Sequence, residues 1–190
     1  NGYHFHLNYM GRNLVSVALS VPGFHNIYNA AAALAVADQM GLPLSEAGDA
    51  IAHYSGTERR FEVTGHPGGV TVISDYAHHP TEIRATLSAA RSYYKDREIW
   101  VVWQPHTYSR IKLLFDDFIR SFEDADHVIV MEIYAARELK EPYSANQLED
   151  AIVHPDVVFS PTMDNVVEFL KQRLTSGDVL IVLSAGDADQ

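Results

Sequence analysis

The sequence predicts an α/β protein whose main part is a Rossmann-like domain with a mainly parallel sheet. Short apolar runs alternate with amphipathic helical patterns over most of the chain, as strands and crossover helices do in such folds. Two of the runs, IWVVW and VLIVL, are apolar throughout, which is typical of strands that are covered on both faces. An antiparallel hairpin is predicted at the start of this domain, because RRFEVTG and GGVTVISDY flank the turn sequence HPGG.

The beginning of the chain carries a different pattern, of a hairpin followed by helices. YHFHLNY and NLVSVALS predict two strands joined by a turn at MGRN. NIYNAAAALAVADQM predicts a helix that is capped at or near Asn26 and ended by Gly41, and LSEAGDAIAHY predicts a second, shorter helix. The glycine-containing joint SGTERR follows, so we predict a domain boundary near Gly56 that separates residues 1–56 from residues 57–190.

The alternating part of the chain predicts five strands and four connecting helices. The strands are VTVIS, IWVVW, VIVMEIY, VVF and VLIVLS, in that order. The helices are PTEIRATLSAARSYY, SRIKLLFDDFIRSFE, SANQLEDAI and MDNVVEFLKQRL, and Pro80 suits the first turn of the first of them. The helical period assigns to the buried faces of the first two helices Ile83, Leu87, Ala90 and Tyr94, and Leu114, Phe115, Phe118 and Phe122.

Composition and charge exclude several classes of protein. Apolar residues make up 47% of the 190 residues, which is enough for a proper core. The absence of cysteine excludes a disulfide framework and thiolate metal sites, and it fits a reducing cytosol. No apolar run approaches the roughly 20 residues of a membrane span, and a signal peptide pattern is lacking, so we expect a cytoplasmic protein. The net charge of −11 opposes binding to nucleic acid or anionic membranes.

Polar side chains cluster where the predicted strands end. DYAHHP, QPHTYSR and IYAARE follow the first three strands and SAGD follows the last, whereas the opposite ends carry the bland connections YYKDRE, EDADH and LTSGD. Turn and cap formation explains one such cluster alone, but three clusters at the carboxyl edge of a parallel sheet favour a binding site. The residues expected at this edge are Asp75, His78, His79, His106, Arg110, Arg137 and Asp187.

The residue types at this edge favour an anionic ligand. Histidines at the spacing of H-E-x-x-H are lacking, and the neighbours His78 and His79 point different ways on an extended backbone, so we predict no metal site. A G-x-S-x-G elbow is lacking too, and without cysteine there is no thiol nucleophile. Arginines and histidines suit a carboxylate or a phosphate, which a guanidinium binds through two parallel hydrogen bonds. The sequence contains no G-x-x-x-x-G-K-[ST] loop, so any ATP phosphate loop would lie elsewhere in the protein.

Four stretches resemble the Mur ligases. GFHNIYNAAAALAVA, RRFEV, ISDYAHHPTEI and QPHTYSR follow one another as in that family, over nearly the whole sequence. QPHTYSR resembles the members that add L-alanine to UDP-N-acetylmuramate, whereas the related tripeptide-recycling ligase shares a histidine-pair motif like AHHP but differs at the QPHTYSR position. Mur ligases have three domains, and the resemblance identifies residues 1–56 as the end of the central ATPase domain. Residues 57–190 resemble the C-terminal, amino-acid-binding domain, so the UDP-binding domain and the phosphate loop are absent.

The resemblance implies ATP-driven amide formation in bacterial peptidoglycan synthesis. The muramyl carboxylate would take the γ-phosphoryl group to become an acyl phosphate, which the amine of L-alanine then attacks. The cofactors would be ATP and Mg²⁺, with the main Mg²⁺ ligands outside this fragment. The expected partners are ATP, UDP-N-acetylmuramate, L-alanine and the missing domains, with no nucleic acid and no membrane. The 190 residues alone are expected to be inactive.

The resemblance also implies roles for single residues on the nucleotide side. His25, Asn26 and Asn29, in the pattern G-x-H-N-x-x-N, would bind the adenine side of ATP. Arg60, in RFE, would reach the ATP phosphates across the domain junction. Asp75 would hold the ribose hydroxyls, although a buried acceptor at a strand end also suits a purely structural role.

On the substrate side, His78 and Arg110 would face the muramyl and alanine carboxylates as catalytic residues. A cation is unfavourable at a helix N-terminus, so Arg110 points to a bound anion there. Two departures from the family, Thr107 in place of a frequent arginine and Ser184 in place of glycine, bear on how alanine is held. Further substrate-binding candidates are Tyr76, His79, His106, Tyr108, Arg137 and Asp187.

Two alternatives stay open at this point. The chain could belong to another amide ligase of the same superfamily, of the tripeptide-recycling or folylpolyglutamate type. It could also be a non-catalytic binding module that has kept the fold. The first alternative is tested by finding which amino acid stimulates ATP turnover in the full-length enzyme. The second is tested by Arg60→Ala and Arg110→Ala, which should leave activity intact if the chain is only a binding module.

Overall fold

The computed structural model describes residues 2–188, and the chain divides into two compact units, Asn1–Thr57 and Glu58–Gln190. Both units contain helices and strands, and the predicted α/β class is confirmed. No helix among the described residues is long and apolar enough to cross a membrane.

The first unit consists of an antiparallel strand pair followed by two helices. Met10 and Gly11 join the strands, and their positive φ angles of 47° and 76° are the type that a two-residue hairpin turn requires. Leu19, Val21 and Ala30 form its main buried cluster. In chain order the elements are β1 (Tyr3–Tyr9), β2 (Arg12–Leu19), α1 (His25–Gln39) and α2 (Leu44–Ala52).

The two ends of α1 agree with the sequence prediction only in part. Gly41 has a φ of 74° and ends the helix in the left-handed conformation, as predicted. The predicted cap by Asn26 is wrong, because the helix begins at His25 and the capping position, Phe24, makes no side-chain hydrogen bond. Asn26 lies within the first turn, where its Nδ2 donates to the carbonyl oxygen of Pro22 at 2.6 Å.

The second unit is built on a six-stranded sheet. Its strands are β3 (Glu62–Gly65), β4 (Thr71–Asp75), β5 (Ile99–Trp103), β6 (His127–Val130), β7 (Val157–Phe159) and β8 (Val179–Leu183). The order across the sheet is β3-β4-β8-β5-β6-β7, and only the β3–β4 pair is antiparallel. The predicted mainly parallel sheet with an antiparallel hairpin at its start is therefore confirmed.

The helices of the second unit cover the two faces of the sheet unequally. They are α3 (Pro80–Tyr93), α4 (Tyr108–Leu113), α5 (Phe115–Phe118), α6 (Asn146–Glu149) and α7 (Met163–Lys171). The crossovers from β4 through β5 and β6 to β7 run in one direction, and the crossover from β7 to β8 runs back. Right-handed crossovers in opposite directions lie on opposite faces, which is why α3 to α6 share one face and α7 covers the other.

Each face of the sheet carries its own hydrophobic cluster. Trp103 lies fully buried in the larger cluster, with its ring centroid 5.2 Å from that of Phe118 and 5.1 Å from that of Phe122. Close packing of three aromatic rings fixes α5 against β5 and so fixes the chain that leaves the carboxyl end of that strand. The smaller cluster lies beneath α7 and contains Trp100, Val102, Val166 and Leu170.

Several predicted elements are shorter than the sequence patterns suggested; SANQLEDAI, for example, is helical only over Asn146–Glu149. The predicted helix SRIKLLFDDFIRSFE is two helices, because Leu114, at φ −116° and ψ 22°, is not helical. The predicted strand RRFEVTG begins only at Glu62, because Arg59 and Phe61 have positive φ angles of 56° and 49° that a strand excludes. The predicted strand VIVMEIY ends at Val130, and the carboxylate of the following Glu132 accepts the backbone N–H of Ile133 and Ala145.

The sequence analysis expected no cluster of interacting polar residues at the amino edge of the sheet. The structure instead shows ion pairs there. Nη2 of Arg91 lies 2.6 Å from Oδ2 of Asp126, and the same oxygen accepts the backbone N–H of Ile99. His127 lies between two carboxylates, with Nδ1 2.5 Å from Asp156 and Nε2 3.2 Å from Glu98. These contacts join the starts of neighbouring strands, so charge at this edge serves the fold.

Candidate functional site

The candidate site lies at the carboxyl edge of the sheet, where four neighbouring strands deliver their loops. The chain leaves β4 toward Tyr76, β5 toward Gln104, β6 toward Met131 and β8 toward Ser184. In parallel α/β sheets this edge is where ligands bind. The backbone at this edge supports that expectation before any side chain is considered.

Unusual backbone conformations concentrate at this edge. Among residues 2–188, five residues other than glycine have positive φ angles, and Met10 of the hairpin turn is the only one outside the edge. The other four are Arg59 (56°), Phe61 (49°), Thr107 (65°) and Ala136 (53°). Such conformations cost free energy and persist where the surrounding structure imposes them, as it does at functional sites.

Four rings form a continuous row across the ends of β4, β5 and β6, which we call the aromatic row: Tyr76, His78, His106 and Tyr134. The ring centroids of Tyr76 and His78 are 5.1 Å apart, those of His78 and His106 6.0 Å, and those of His106 and Tyr134 5.7 Å. The row brings together residues that the sequence analysis selected, and it adds Tyr134, which that analysis missed. The position of Tyr134 in the cluster IYAARE, after the third predicted strand, could have identified it as a site residue.

Two arginines flank the Tyr76 end of the aromatic row. Cζ of Arg59 lies 4.9 Å from the Tyr76 ring centroid, and Cζ of Arg60 lies 5.5 Å from it. Arg59 also donates to the carbonyl oxygen of Ser184 at 2.8 Å, which ties it to the loop after β8. Arg60 differs, because its side chain is 51% exposed and its Nη1 lies 3.8 Å from Oε1 of Glu82. Arg60 is therefore available to a ligand, whereas Arg59 holds the loop after β8.

Arg110 contacts the aromatic row through His106. Nη1 of Arg110 lies 2.9 Å from Nδ1 of His106, and since a guanidinium only donates, Nδ1 accepts and the ring is neutral. Burial lowers the pKa of His106, and the charges of Arg110 and His78 lower it further, while Glu138 opposes them in part. The predicted catalytic pair His78 and Arg110 therefore lies on either side of a neutral imidazole.

Asp75 is buried, with both carboxylate oxygens in use. Oδ2 accepts the backbone N–H of Phe61 and Oδ1 that of Ala77, each at 2.8 Å, and the residue is 6% exposed. Burial raises the pKa of Asp75, although these two bonds and Arg60 act in the opposite direction. Asp75 thus fixes the chain on both sides of the β3–β4 pair, and this geometry favours the structural role left open by the sequence.

A buried glutamine joins the ends of β5 and β8. Oε1 of Gln104 accepts the hydroxyl of Ser184 at 2.8 Å and the backbone N–H of Asp187 at 3.2 Å, while Nε2 donates to Oδ1 of Asp187 at 2.9 Å. The hydroxyl of Ser184, where the family often has glycine, is thereby satisfied. Gly186 lies in the same loop, and a Cβ there would come within 2.5 Å of Gln104 Oε1 and 2.8 Å of Tyr134 Cγ. Gln104 belongs to the motif QPHTYSR but was not predicted as a site residue.

Four further residues were predicted to bind substrate: His79, Tyr108, Arg137 and Asp187. His79 caps α3, with Nδ1 accepting the backbone N–H of Thr81 at 3.2 Å. Tyr108 is 4% exposed and belongs to the larger hydrophobic cluster, so packing accounts for it. Arg137 and Asp187 are exposed.

The anion that the sequence analysis inferred at the start of α4 is supplied by the chain itself. The carboxylate of Glu138 accepts the backbone N–H of Ser109 at 3.1 Å and also its hydroxyl. These hydrogen bonds, the hydroxyl bond first, lower the pKa of Glu138 although burial opposes them. The position of Arg110 near this helix start therefore does not require a bound ligand.

The adenine-side candidates lie in the first turn of α1, within the first unit. Nδ2 of Asn29 donates to Oδ1 of Asn26 at 3.0 Å, and Asn26 donates in turn to Pro22. His25 and Asn29 are exposed, and Asn26 is half-buried. Within residues 2–188, no group of three or more His, Asp or Glu side chains is arranged so that it could hold a metal ion.

Comparison with known proteins gives a consistent result. Residues 59–186 match the family described as Mur ligase, glutamate ligase domain. The UDP-N-acetylmuramate–L-alanine ligase of Caldanaerobacter subterraneus subsp. tengcongensis is 46% identical over 186 residues, which cover 96% of this chain and 40% of that protein. The chain spans about 40% of the length of the curated relatives that it matches.

Solved structures agree with this result. The UDP-N-acetylmuramate–alanine ligase MurC from Thermotoga maritima superimposes with a TM-score of 0.78 at 28% identity, covering 94% of this chain and 38% of that one. A murein peptide ligase from Psychrobacter arcticus superimposes with a TM-score of 0.67 at 26% identity, covering 90% of this chain and 36% of that one.

Gly186→Ala should disrupt the loop after β8. The added methyl group would meet Gln104 and Tyr134 at distances that no Cβ tolerates, and overpacking of this kind costs about 1–3 kcal/mol. Urea denaturation followed by the fluorescence of Trp100 and Trp103 measures the loss. Gly65→Ala is the control, because its nearest neighbour, Pro67 Cδ, is 3.9 Å away. Equal stability of the two variants would contradict the steric argument.

His106 should make the second unit less stable in acid. Its pKa in the folded protein is lowered below 6.5, so just below that pH the unfolded chain binds a proton there and the folded protein does not. Stability contributed by this residue is therefore present above about pH 6.5 and falls as the pH drops. His106→Gln should reduce the difference between urea denaturation at about pH 7.5 and about pH 5.5, and His66→Gln, at an exposed histidine outside the aromatic row, is the comparison variant. The same pH dependence in wild type and His106→Gln would overturn this prediction.

Proposed function

This chain belongs to the Mur ligase family, and we propose that it is the C-terminal part of an ATP-dependent ligase that joins L-alanine to UDP-N-acetylmuramate. The observation that carries the proposal is the high identity, over almost the whole chain, to a relative named as that ligase. The arrangement of Arg60, Arg110 and the aromatic row supports it, because cationic donors beside rings suit the phosphate and carboxylate groups of such substrates.

We propose that the two units have different tasks in this ligase. Residues 1–56 would complete the ATPase domain, with His25, Asn26 and Asn29 on the adenine side. Residues 57–190 would form the amino-acid-binding domain. The adenine edge requires both a donor and an acceptor, which an asparagine amide provides, and the Asn26–Asn29 bond would orient both amides in the same turn of α1.

Arg60 is our candidate for contact with the transferred phosphoryl group. Its guanidinium is exposed, and it is held loosely between the Tyr76 ring and the Glu82 carboxylate. Donors that are already oriented toward a developing negative charge lower the barrier of phosphoryl transfer, since little reorganisation is needed during the reaction. Asp75 would support Arg60 indirectly, because it fixes the backbone of the next residue, Phe61.

The reaction proposed has two steps, and this chain contributes to both through positioning. In the first, a muramyl carboxylate oxygen forms a bond to the γ-phosphorus of ATP while the bond to the β-bridging oxygen breaks and ADP leaves. In the second, the amine of L-alanine, having lost a proton, attacks the acyl carbon, and phosphate leaves with the bonding electrons. Arg110 and His78 would hold the reacting carboxylates, since holding both reactants in line removes most of the entropic barrier.

Magnesium belongs to this proposal as an ion held mainly by other parts of the protein. When bound, it would neutralise charge on the phosphates. The setting that we propose is the bacterial cytoplasm, in keeping with the organisms of the relatives reported above. The second candidate function is tripeptide recycling, which the structural similarity to the murein peptide ligase supports.

The proposed function is tested by the substrate dependence of ATP turnover in the full-length protein. With UDP-N-acetylmuramate present, ADP release should require L-alanine and should yield the alanyl product detected by mass spectrometry. A preformed tripeptide in place of L-alanine should give background rates. Turnover that depends on the tripeptide would favour the recycling ligase, and no turnover with either would overturn the proposal.

Arg60→Ala in the full-length ligase should lower kcat/KM for ATP by about 10- to 100-fold, the value expected for loss of a charge-assisted hydrogen bond. Steady-state kinetics with ATP varied at saturating L-alanine and UDP-N-acetylmuramate measure the effect. Arg120→Ala is the matched control, because Arg120 is an exposed arginine outside the carboxyl edge. Unchanged kinetics in Arg60→Ala would support the non-catalytic binding module instead.

A further inference from the structure

We propose that Glu82 is a positioning residue of the ligase site, which holds Arg60 and His78 in the places from which they act. The inference rests on the proposed function of the site. Glu82 was not a candidate in the sequence analysis. It lies in the first turn of α3, where it takes part in a capping box.

The contacts of Glu82 go beyond what capping requires. In a capping box the acid accepts only the backbone N–H of the capping residue, here His79, which lies 3.2 Å from Oε2. The same oxygen accepts the backbone N–H of His78 at 3.0 Å and lies 3.6 Å from Nδ1 of the His78 ring. The other oxygen, Oε1, lies 3.8 Å from Nη1 of Arg60. One carboxylate thus contacts the predicted ATP-side arginine and the predicted substrate-side histidine.

The effect on His78 is to fix its tautomer. Nδ1 lies 2.8 Å from the carbonyl oxygen of Tyr76, and because a carbonyl only accepts, Nδ1 must carry the proton. The nearby carboxylate of Glu82 favours the same arrangement, since it too attracts a proton on Nδ1. Because Nδ1 is engaged by the chain, Nε2 is the ring nitrogen left to face substrate.

The effect on Arg60 is a weak, reversible hold. Burial raises the pKa of Glu82, but the backbone N–H of His78, the His78 ring, Arg60 and the backbone N–H of His79 together outweigh burial. The net pKa is lowered, so the group is ionised at neutral pH. An ion pair at 3.8 Å between half-exposed groups contributes little to stability. The ion pair nevertheless keeps the guanidinium beside the Tyr76 ring. A phosphate can replace Glu82 as the partner of Arg60 there without disturbing the fold.

The test is Glu82→Gln in the full-length ligase. Glutamine keeps an acceptor oxygen for the helix cap and removes the charge that holds Arg60. The melting temperature should change by less than about 2 °C, while KM for ATP should rise about fivefold, in line with a weak ion pair. Glu168→Gln is the matched control, because Glu168 is a helical glutamate paired with Lys171 away from the edge.

A double-mutant cycle shows whether Glu82 acts through Arg60. In an Arg60→Ala background, Glu82→Gln should not raise KM for ATP any further. A variant with a lower melting temperature and unchanged KM would show that Glu82 is only a cap, and this would overturn the inference. An equal rise in KM with and without Arg60 would overturn it as well. Absence of alanine-dependent ATP turnover in the wild-type protein would instead overturn the proposed function, so the two failures are distinguishable.

Discussion

Four neighbouring strands end at one level because the parallel register of the sheet aligns them, and every contact of the candidate site depends on that alignment. Leu183 of β8 lies opposite Asp75 of β4 on one side and opposite Trp103 of β5 on the other. Trp103 in turn lies opposite Val130 of β6. The backbone ladder continues for one residue beyond these ends, where Ser184 donates to Asp75 and Gln104 donates to Leu183, each at 3.0 Å. The loops therefore begin side by side, and their side chains meet without long reach.

The proposed function requires an acidic protein to bind anions, and the surroundings of the carboxylates at this edge bear on that requirement. The chain carries a net charge of −11, yet the carboxylates near the aromatic row are each committed to hydrogen-bond donors of the chain. Asp75 accepts from Phe61 and Ala77, Glu82 from His78 and His79, and Glu138 from Ser109. The more distant charges are screened over about 8 Å at physiological salt. Arg60 and Arg110 thus lie beside carboxylates whose oxygens are already engaged by donors of the chain.

The sequence predicted the elements that local pattern controls and missed those that distant contacts control. Strand and helix periods gave the parallel sheet, and the parallel sheet implied that His78, His106 and Arg110 would meet at one edge. No local pattern reveals that Gln104 bonds to Asp187, 83 residues further on, or that Glu138 satisfies the start of α4. The positive φ angle of Thr107 is equally hidden, because a β-branched residue has no preference for it and only the surrounding structure imposes it.

The central position of β8 also determines how the second unit can be made in the cell. A ribosome completes β4, β5, β6 and β7 before it releases the strand that belongs between β4 and β5. Until then, two strand edges that will be paired in the finished sheet stand open, and a nascent chain with open edges is prone to associate with other chains. The carboxyl edge can therefore be completed only after β8 has been made, and a chain truncated before β8 would lack the middle of its sheet rather than its margin.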